Sequence, residues 1–427
     1  MEWTALVIAL VTLLLGFPMM VALLLGALAL WLTYLPETEP SIMVQQLISS
    51  VEPYVLLAIP LFIFAADIMS AGKTSQRLLD LVQKTLGRMR GGVGMATAAA
   101  ATGFGAVSGS SQATVAAVGP PMREQARRAG YKDSHALALL INSSGLALLI
   151  PPSTVMIYYG TLTGTSVGNL FLAGIIPGLM ILVLFAAYEH IIARLKELPT
   201  AEPASMRERL TALRRAILTL GLPVLILGSI YSGVATPTEA AALSVVYAAV
   251  VELFIYRSIR IRDLGAMAAS TATITSVIFI LLAAGGAVSW IISYAQIPQS
   301  LADLILGAEP SQVTVLLIMS AFFIVACMFV DSLVAIAILT PIFFPIAVEV
   351  GADPVYIGIM ITLQAAIGAV TPPFGVNIFT ASAIFRVPYL TVVRGVGPYI
   401  AILLAANLLL ILAPEIILAY EYVLPSD

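Results

Sequence analysis

Charged side chains are scarce in this chain. Lys, Arg, Asp and Glu together make up 10% of its 427 residues, whereas hydrophobic residues make up 60%. Soluble domains carry about 25% charged residues, so this chain cannot be solvated on all sides. Apolar runs long enough to cross a bilayer recur from end to end. The composition therefore predicts an all-α polytopic membrane protein.

Other absences narrow the function. Cys327 is the single cysteine, which excludes an internal disulfide, and we expect it to be a packed core residue. The two histidines, His135 and His190, are expected beside the inner surface as ordinary interfacial residues rather than as a metal site. No Ser/His/Asp grouping, HExxH or CxxC motif is present, and no basic cluster is interleaved with aromatic residues. These absences predict a protein that is not an enzyme, needs no organic cofactor and binds no nucleic acid.

The positive charges that are present are strongly grouped. All 20 Lys and Arg residues fall in five clusters, at 73–90, 123–132, 194–215, 257–262 and 386–394. Cytoplasmic loops retain Lys and Arg, so all five clusters are predicted to be cytoplasmic. When the membrane-crossing helices are placed in chain order under that rule, the C-terminal end of the last helix, 398–419, is outside the cell membrane. Three tryptophans, Trp3, Trp31 and Trp290, are expected to be interface anchors.

Two segments are predicted to be hairpins rather than pairs of membrane-crossing helices. The first is too short for two crossings, and the second has no basic residue at either end. Only 32 residues, 91–122, separate the first two basic clusters, and two crossings need about 40. The segment is therefore predicted to enter from the cytoplasm, turn at 108–111 and leave on the same side. Segment 313–350 has no basic residue at either end and is predicted to be a second hairpin, entering from outside and turning near Asp331. The hairpins thus open to opposite faces.

The two halves of the chain repeat one another at an offset of 221 residues. This offset maps Ser110 onto Asp331, Pro120 onto Pro341, Gly130 onto Gly351, and Pro151-Pro152 onto Pro372-Pro373. Each diproline interrupts an apolar segment, which predicts two broken transmembrane helices. An inverted repeat with hairpins and broken helices is typical of transporters that bind substrate and ions between the two repeats.

Three smaller points complete the predicted organisation. Residues 4–15 form either a separate short helix or part of a kinked one broken at Gly16-Phe17-Pro18. Residues 204–215, in the charged link between the halves, fit a basic amphipathic helix on the membrane surface. Glu239 and Glu252 are expected to pair or cap near the ends of their helix rather than to carry protons.

The breaks offer the chemistry of a cation site. Paired prolines remove two backbone donors, so carbonyls upstream lose their helical partners. Free carbonyls and Ser/Thr hydroxyls are hard oxygen ligands that suit Na⁺, and the half-helices predicted to begin at Ser153 and Phe374 project positive charge toward an anionic substrate. Asp331 is the one acid placed deep in the membrane. It is a cation ligand, a proton carrier if its pKa is raised, or a helix cap. Asn142-Ser143-Ser144 either face the ion or satisfy a neighbouring helix.

Several motifs around these features carry a family resemblance. They are Phe104-Gly105-Ala106-Val107-Ser108-Gly109-Ser110-Ser111, Leu149-Ile150-Pro151-Pro152-Ser153, Leu172-Ala173-Gly174-Ile175-Ile176-Pro177-Gly178, Ala235-Thr236-Pro237-Thr238-Glu239-Ala240-Ala241 and Val370-Thr371-Pro372-Pro373-Phe374-Gly375-Val376-Asn377. Together they resemble the large membrane subunit (DctM type, M subunit) of tripartite ATP-independent periplasmic (TRAP) transporters. The resemblance spans nearly the whole chain.

The resemblance implies a multi-pass protein of the bacterial inner membrane with an inverted-repeat, ion-transporter-like elevator fold, and the charge rule places its C-terminus in the periplasm. It implies Na⁺-coupled import of an organic acid, such as a C4-dicarboxylate, sialic acid or another carboxylate, and in some members a zwitterion. It also implies two partners, a small four-helix (Q-type) membrane subunit and a periplasmic (P-type) substrate-binding protein.

The resemblance also implies a division of the chain and a set of site residues. The divisions are 1–90 (scaffold helices of repeat 1), 91–167 (transport domain, hairpin 1 and broken helix 1), 168–215 (helix and cytoplasmic connector), 216–311 (scaffold helices of repeat 2), 312–386 (transport domain, hairpin 2 and broken helix 2) and 387–427 (C-terminal helix). Carried over, the residues are Ser108, Ser110, Ser111, Ser144, Leu149 and Pro151 for one sodium site; Asp331, Ser332, Val370, Thr371 and Pro372 for a second; and Ser111, Thr114, Ser153 and Asn377 for substrate.

Two other functions are compatible with part of the pattern. A stand-alone Na⁺- or H⁺-coupled carboxylate transporter would have the same architecture but need no binding protein. A channel would need a continuous polar path, whereas the polar residues here cluster around two breaks.

Overall fold

The computed structural model describes residues 7–200 except 10 and 14, residues 204–296 and residues 310–422. Regular structure in these ranges is helical, with no strand among them. The helices before the central link are α1 (Met19–Tyr34), α2 (Pro40–Ser49), α3 (Ala58–Ala71), α4 (Thr74–Leu86), α5 (Gly92–Ser108), α6 (Ser111–Arg128), α7 (Asp133–Gly145), α8 (Thr154–Thr163) and α9 (Val167–Leu195). Those after it are α10 (Met206–Tyr231), α11 (Pro237–Ala249), α12 (Ile261–Tyr294), α13 (Gln312–Phe329), α14 (Ser332–Glu349), α15 (Pro354–Val370), α16 (Val376–Phe385), α17 (Tyr389–Val393), α18 (Gly397–Leu412) and α19 (Glu415–Leu418).

Seven helical stretches among the described residues are long and apolar enough to cross a membrane, and a bent pair at the C-terminal end makes a possible eighth. The prediction of an all-helical, polytopic membrane protein is therefore confirmed.

Both predicted hairpin turns lie where the sequence placed them. In hairpin 1 (α5 and α6), the helices pack against each other and are joined by Gly109 and Ser110. Gly109 has a φ of +61°, a left-handed conformation that favours glycine. In hairpin 2 (α13 and α14), the turn is at 330–331. Ser110 accepts a hydrogen bond from the Ala113 amide at 3.3 Å, and Asp331 accepts one from the Leu333 amide at 3.0 Å. The two residues that the 221-residue offset equates are thus both helix N-caps.

The two diprolines lie in real breaks of the helices. Broken helix 1 consists of α7, a short 3₁₀ turn at Leu146–Leu148, and α8, with Pro151-Pro152 in the gap. Broken helix 2 consists of α15 and α16 with Pro372-Pro373 in the gap, and both Pro-Pro bonds are cis. α8 begins at Thr154, one residue after the predicted start at Ser153, which is its N-cap. α16 begins at Val376 after Gly375, so the predicted start at Phe374 is wrong, because the chain turns once more there, with the Gly375 amide bonded to the Thr371 carbonyl at 3.1 Å.

Each hairpin packs on the broken helix of its own half through a very close contact. In the first half, Gly105 of α5 lies against Ala147, and a Cβ added at Gly105 would come within 2.6 Å of the Ala147 Cβ. In the second half, Gly368 of α15 lies against Cys327 of α13. Ala147 and Gly368 are related by the same offset, 368 − 147 = 221. The repeat seen in the sequence therefore recurs as a packing contact. The glycine of this contact is on the hairpin in the first half and on the broken helix in the second half.

A second body of helices packs beside these elements. α3 packs on α11, α1 on α12, and α4 on α10. Glu252, which is fully buried, ties this group together: its carboxylate accepts hydrogen bonds from the Lys73 amide at 3.1 Å, from the Thr74 amide at 3.0 Å and from the Thr74 hydroxyl at 2.5 Å, and Ser258 also donates to it. The expectation that Glu252 caps a helix end is confirmed, although the helix is α4 rather than its own. Glu239 forms a capping box with Thr236 at the start of α11.

We expect the substitution Gly72→Ala to destabilise the protein by roughly 1–3 kcal/mol. A Cβ at Gly72 would overlap the Glu252 carboxylate and so displace it from the start of α4. The measurement is the apparent unfolding temperature of the purified protein in detergent. The matched control is Gly228→Ala in α10, where an added Cβ has no atom within 4 Å and is expected to be neutral or slightly stabilising. Equal unfolding temperatures for the two variants would contradict this role of Glu252.

Two predictions about helix boundaries are wrong. α10 runs without interruption from Met206 to Tyr231, so residues 204–215 do not form a separate surface helix. The reason is local: Ser205 and Glu208 form a capping box that starts the helix, and no helix-breaking residue follows before 216. The predicted span 398–419 is divided, because α18 ends at Leu412 and the next helical stretch is bent away by 82°. Pro414, which lacks an amide donor, lies at this bend.

Two predictions about aromatic and N-terminal residues also change. Trp31 is 4% exposed, with its ring stacked on that of Trp290 at 6.0 Å between centroids, so it is a core residue rather than an interface anchor. Trp3 lies outside the described residues. Residues 7–9 and 11–13 are helical and are separated from α1 by a break at Gly16, whose φ is +84°. The described part of 4–15 is therefore a helical segment distinct from α1.

Candidate functional site

All four interrupted elements meet at one cavity of about 640 Å³. Its lining includes Ser108, Ser110, Ser111 and Gln112 from the tip of hairpin 1; Thr154 from broken helix 1; Asp331 and Ser332 from hairpin 2; Val376 from broken helix 2; and Asp67 and Thr273 from α3 and α12. The tips of the two hairpins, more than 200 residues apart in the chain, thus face the same space. This volume is in the range of pockets that hold a small molecule.

The tip of hairpin 1 is held against the first break. The hydroxyl of Thr154, the first residue of α8, donates to the Gly109 carbonyl at 3.3 Å. A Cβ at Gly109 would lie 2.7 Å from the Pro152 carbonyl oxygen, so only glycine permits this approach. Inside the tip, the hydroxyls of Ser108 and Thr114 are 3.2 Å apart, and Thr114 donates to the Ser110 carbonyl at 2.8 Å. The structure therefore brings predicted site residues of the hairpin next to the first break.

The tip of hairpin 2 lies beside the second break, where the contact is between two aromatic rings. The Phe329 and Phe374 rings are 5.4 Å apart, one at the end of α13 and the other just after the diproline. Asp331 and Ser332 both line the cavity. Asp331 uses one carboxylate oxygen, Oδ1, to cap α14, which leaves acceptor positions on both oxygens for a ligand. Capping and cation binding are therefore compatible roles for Asp331.

A hydrogen bond joins the two halves next to the cavity. The Ser111 hydroxyl, at the start of α6, donates to the Asn377 side-chain oxygen at 2.9 Å, and the Asn377 amide group donates to the Ile141 carbonyl at 3.4 Å. Ser111 and Asn377 were both predicted to contact substrate. Thr114 and Ser153, the other two predicted substrate residues, are fully buried near the same tip and break.

Several predicted sodium ligands do not line the cavity and have local partners. The Ser144 hydroxyl donates to the Leu140 carbonyl at 2.8 Å, and the Thr371 hydroxyl donates to the Ile367 carbonyl at 2.6 Å. The Leu149 carbonyl lies against Gly174 of α9. Pro151, Val370 and Pro372 belong to the breaks, but they too are outside the lining. A sodium-binding role for these six residues stays a prediction.

The triplet Asn142-Ser143-Ser144 is buried on α7. Asn142 donates to the Ala138 carbonyl at 2.8 Å, so it satisfies its own helix, as Ser144 does. The Asn142 side-chain oxygen and the Ser143 hydroxyl have no hydrogen-bond partner among the described residues.

The electrostatics of the cavity combine helix starts with carboxylates. α6, α8 and α14 have their first residues, Ser111, Thr154 and Ser332, in the cavity lining, where the partial positive charge of a helix N-terminus is greatest. Asp67 and Asp331 are the two carboxyl side chains of the lining. No Lys, Arg or His occurs among the described residues that line the cavity. Such a site can hold a cation at its Asp side chains. It can also hold the carboxylate of a ligand at the starts of its helices, without an arginine side chain.

Asp67 was missed by the sequence analysis, which placed only Asp331 deep in the membrane. It lies in the apolar span Tyr54–Ala71, and its Oδ2 accepts a hydrogen bond from Thr271 of α12 at 2.8 Å. An acid inside such a span was a usable signal.

The interfacial assignment of His135 is wrong. His135 is buried at the start of α7, and its Nε2 lies 3.0 Å from Glu189, which is itself fully buried on α9. Tyr399 of α18 also donates to the Glu189 carboxylate. His190, in contrast, is partly exposed and hydrogen-bonds the Arg90 carbonyl at 2.9 Å. Among the described residues there is no group of three His, Cys, Asp or Glu side chains placed to hold a metal ion.

Outside the membrane-spanning segments, an ion pair closes the loop between hairpin 1 and broken helix 1. Arg123 donates to both carboxylate oxygens of Asp133, at 2.7 and 2.6 Å. These hydrogen bonds hold the pKa of Asp133 below its usual value. The bidentate geometry fixes the end of α6 relative to the start of α7.

Sequence comparisons place these features in a family. A family model described as "Tripartite ATP-independent periplasmic transporter, DctM component" matches residues 6–416. The ectoine/5-hydroxyectoine TRAP transporter large permease protein UehC of Ruegeria pomeroyi is 50% identical over 411 residues, which cover 96% of each chain. The ectoine TRAP transporter large permease protein TeaC of Halomonas elongata is 51% identical over 407 residues, 95% of each chain. The C4-dicarboxylate TRAP transporter large permease protein DctM of Pseudomonas aeruginosa is 38% identical over 92% of each chain.

Solved structures show a similar fold at low sequence identity. The YdaH transporter of Alcanivorax borkumensis superposes with a TM-score of 0.57 and 17% identity, covering 90% of this chain and 88% of its own. MtrF of Neisseria gonorrhoeae, from a class described as antimetabolite efflux pumps, gives a TM-score of 0.57 and 14% identity over 87% of this chain and 83% of its own. These similarities concern the fold alone.

Proposed function

The chain belongs to the DctM-component family of TRAP transporters as a large permease subunit, and from this premise we propose that it imports ectoine or hydroxyectoine together with Na⁺. Permeases of this family are secondary transporters for organic acids that depend on a binding protein. Ectoine is a small cyclic carboxylate with a cationic amidinium ring, so it remains within the predicted class of organic acids.

The single observation that supports transport most strongly is the convergence of both hairpins and both broken helices on one cavity. Non-helical backbone at membrane depth is tolerated where it is buried in protein or lines a wet space. The oxygens of Ser108, Ser110, Asp331 and Ser332 around that cavity suit Na⁺, a hard cation. We therefore assign the cavity as the place where ion and substrate bind together.

The choice of ectoine rests on similarity and on charge. The two ectoine permeases are 50% and 51% identical to this chain, whereas the dicarboxylate permease of Pseudomonas aeruginosa is 38% identical. The cavity lining has two carboxylates and, among the described residues, no basic side chain. These carboxylates would repel a substrate with two negative charges, whereas a zwitterion has a cationic group that they attract.

We propose an elevator mechanism for the movement. The two halves of the candidate transport unit are tied to each other by the hydrogen bond from Ser111 to Asn377 and by packing of Gly145 on α7 against Ala366 on α15, where an added Cβ would lie 3.5 Å from the Ala366 carbonyl. The helices α3 and α12 contribute the other residues of the cavity lining, and α11 packs on α3. Movement of the tied unit past these helices would expose the cavity to each side in turn.

The transporter would need two partners and a fixed orientation in the membrane. A small four-helix membrane subunit would complete the assembly in the bacterial inner membrane. A periplasmic binding protein would deliver the substrate. With all basic clusters cytoplasmic, the C-terminal end of the chain is on the periplasmic side.

The test is reconstitution of the permease with its small subunit and binding protein in liposomes. We expect uptake of radiolabelled ectoine that rises with external Na⁺ and with an inside-negative potential, because inward movement of one net charge through 100 mV supplies about 2.3 kcal/mol. Equal uptake at zero and saturating Na⁺ would refute the coupling. Undiminished uptake without the binding protein would favour a stand-alone transporter.

A further inference from the structure

One carboxylate of the cavity has no role in the proposed sodium sites. Asp67 lies on α3, which forms one wall of the cavity together with α12. It is the one ionisable side chain that the described residues of α3 and α12 place there; the rest of that wall is mostly apolar, with residues such as Ile63, Ile274 and Val277. A carboxylate in such surroundings needs a partner.

The protein gives Asp67 only part of the hydrogen bonding that a carboxylate can accept. Thr271 on α12 donates to Oδ2 at 2.8 Å, which fixes the orientation of the group. Among the described residues Asp67 has no other hydrogen bond and no salt-bridge partner. Each carboxylate oxygen has two acceptor positions, so Oδ1 is open and Oδ2 can accept once more. The group is thus oriented and incompletely paired.

The hairpin tips and the first break line the same cavity with the starts of helices. There α6, α8 and α14 begin, and their amide ends and the hydroxyls of Ser111 and Thr154 attract a carboxylate. In the proposed function Na⁺ binds Asp331, the carboxylate at the hairpin tips. A ligand that bridges the tips and α3 would then meet hydrogen-bond donors at one end and the open carboxylate of Asp67 at the other. A molecule with an anionic and a cationic end matches this arrangement, and a dianion does not.

We infer that Asp67 binds the cationic end of the substrate and thereby selects zwitterions over dianions. This inference rests on the proposed function and assigns the substrate's amidinium to the α3 wall, with its carboxylate at the hairpin tips. An amidinium presents N–H groups side by side, which match the two oxygens of a carboxylate in a bidentate pair. Asp67 is therefore a specificity-determining residue.

A structural role is the competing explanation. The bond between Asp67 and Thr271 joins α3 to α12, and its only function would then be to hold these helices together. The two roles differ in one respect. Thr271→Val removes the interhelical bond but keeps the carboxylate, whereas Asp67→Asn keeps a hydrogen-bond acceptor for Thr271 but removes the charge.

The experiment compares these variants in the complete reconstituted transporter, with radiolabelled ectoine as the probe. We expect Asp67→Asn to lower uptake about 10- to 30-fold at sub-saturating ectoine, with the Na⁺ concentration for half-maximal activation changed less than about 2-fold. Asp67→Glu should restore at least a third of the wild-type rate, and Thr271→Val at least half. Protein abundance and the unfolding temperature of each variant are measured in parallel.

A second readout is independent of turnover. Ectoine should raise the unfolding temperature of the wild-type permease complex in the presence of Na⁺ but not that of Asp67→Asn, whereas the shift produced by Na⁺ alone should be the same in both. Asp67→Asn with wild-type uptake overturns the inference, and so does an equal loss in Asp67→Asn and Thr271→Val. If the wild-type protein imports no ectoine, the proposed function itself is refuted. Uptake by the wild-type protein therefore tests that function separately from the role of Asp67.

Discussion

Replacing Asp331 with alanine is expected to lower Na⁺-driven uptake by at least about 100-fold at a sub-saturating Na⁺ concentration. Opposite unit charges about 4 Å apart attract by about 4 kcal/mol at an effective dielectric constant of about 20, and 1.4 kcal/mol corresponds to a factor of ten. Asp331 is the carboxylate at the tip of hairpin 2 and lines the cavity. Without it, Na⁺ would be held by neutral oxygens alone. The measurement is the initial rate of uptake as a function of external Na⁺.

The first half of the chain supplies the control for this experiment. Ser110 occupies the equivalent turn and caps α6 through its hydroxyl, so Asp331→Ser should keep the cap of α14 while it removes the charge. We expect Asp331→Ser to be as defective in Na⁺ activation as Asp331→Ala, with better retention of protein abundance. An Asp331→Ser variant with normal Na⁺ activation would show that the aspartate is only a cap.

Replacing Pro151-Pro152 with Ala-Ala is expected to reduce uptake by about 100-fold or more. Alanine restores two backbone donors and has the highest helix propensity, so α7 could continue through the gap toward α8. The carbonyls of the break would then be used within the helix, and Thr154, which bonds the Gly109 carbonyl, would turn away from the tip of hairpin 1. Uptake is compared at equal protein abundance in the membrane.

A third diproline in the chain provides a control with the same pair of residues in a continuous helix. Pro120-Pro121 lies within α6, which continues through it without a break. Pro120-Pro121→Ala-Ala should therefore leave uptake within a few-fold of wild type, because it alters no gap in the backbone. If both double variants are equally active, the break at Pro151-Pro152 is a plain kink with no part in transport.

The interrupted elements could be predicted from the sequence because two independent constraints agreed. The distance between basic clusters is too short for two spans before residue 123, which located the first hairpin, and the 221-residue offset transferred its turn from Ser110 to Asp331. Both turns, and the gaps at both diprolines, are where these arguments placed them. The sodium ligands themselves are not tested by the fold.

What could not be predicted depends on contacts between distant parts of the chain. Pro120-Pro121 shows that a diproline alone does not decide whether a helix breaks, since the surroundings determine whether the freed backbone groups find partners. The depth of Asp67 depends on α12 packing beside it, more than 200 residues later in the chain. The burial of His135 depends likewise on Glu189 and Tyr399, from two other helices. Periodicity and charge spacing carry no information on such pairings.

The close packing of Cys327 against Gly368 has a practical consequence for labelling. Cys327 is the single thiol in the sequence and is 2% exposed. Maleimide or nitroxide reagents that need an accessible thiolate are thereby kept from the native chain. A cysteine introduced at the rim of the cavity, for instance in place of Gln112, would thus carry a spectroscopic probe at one defined position without prior removal of the natural one.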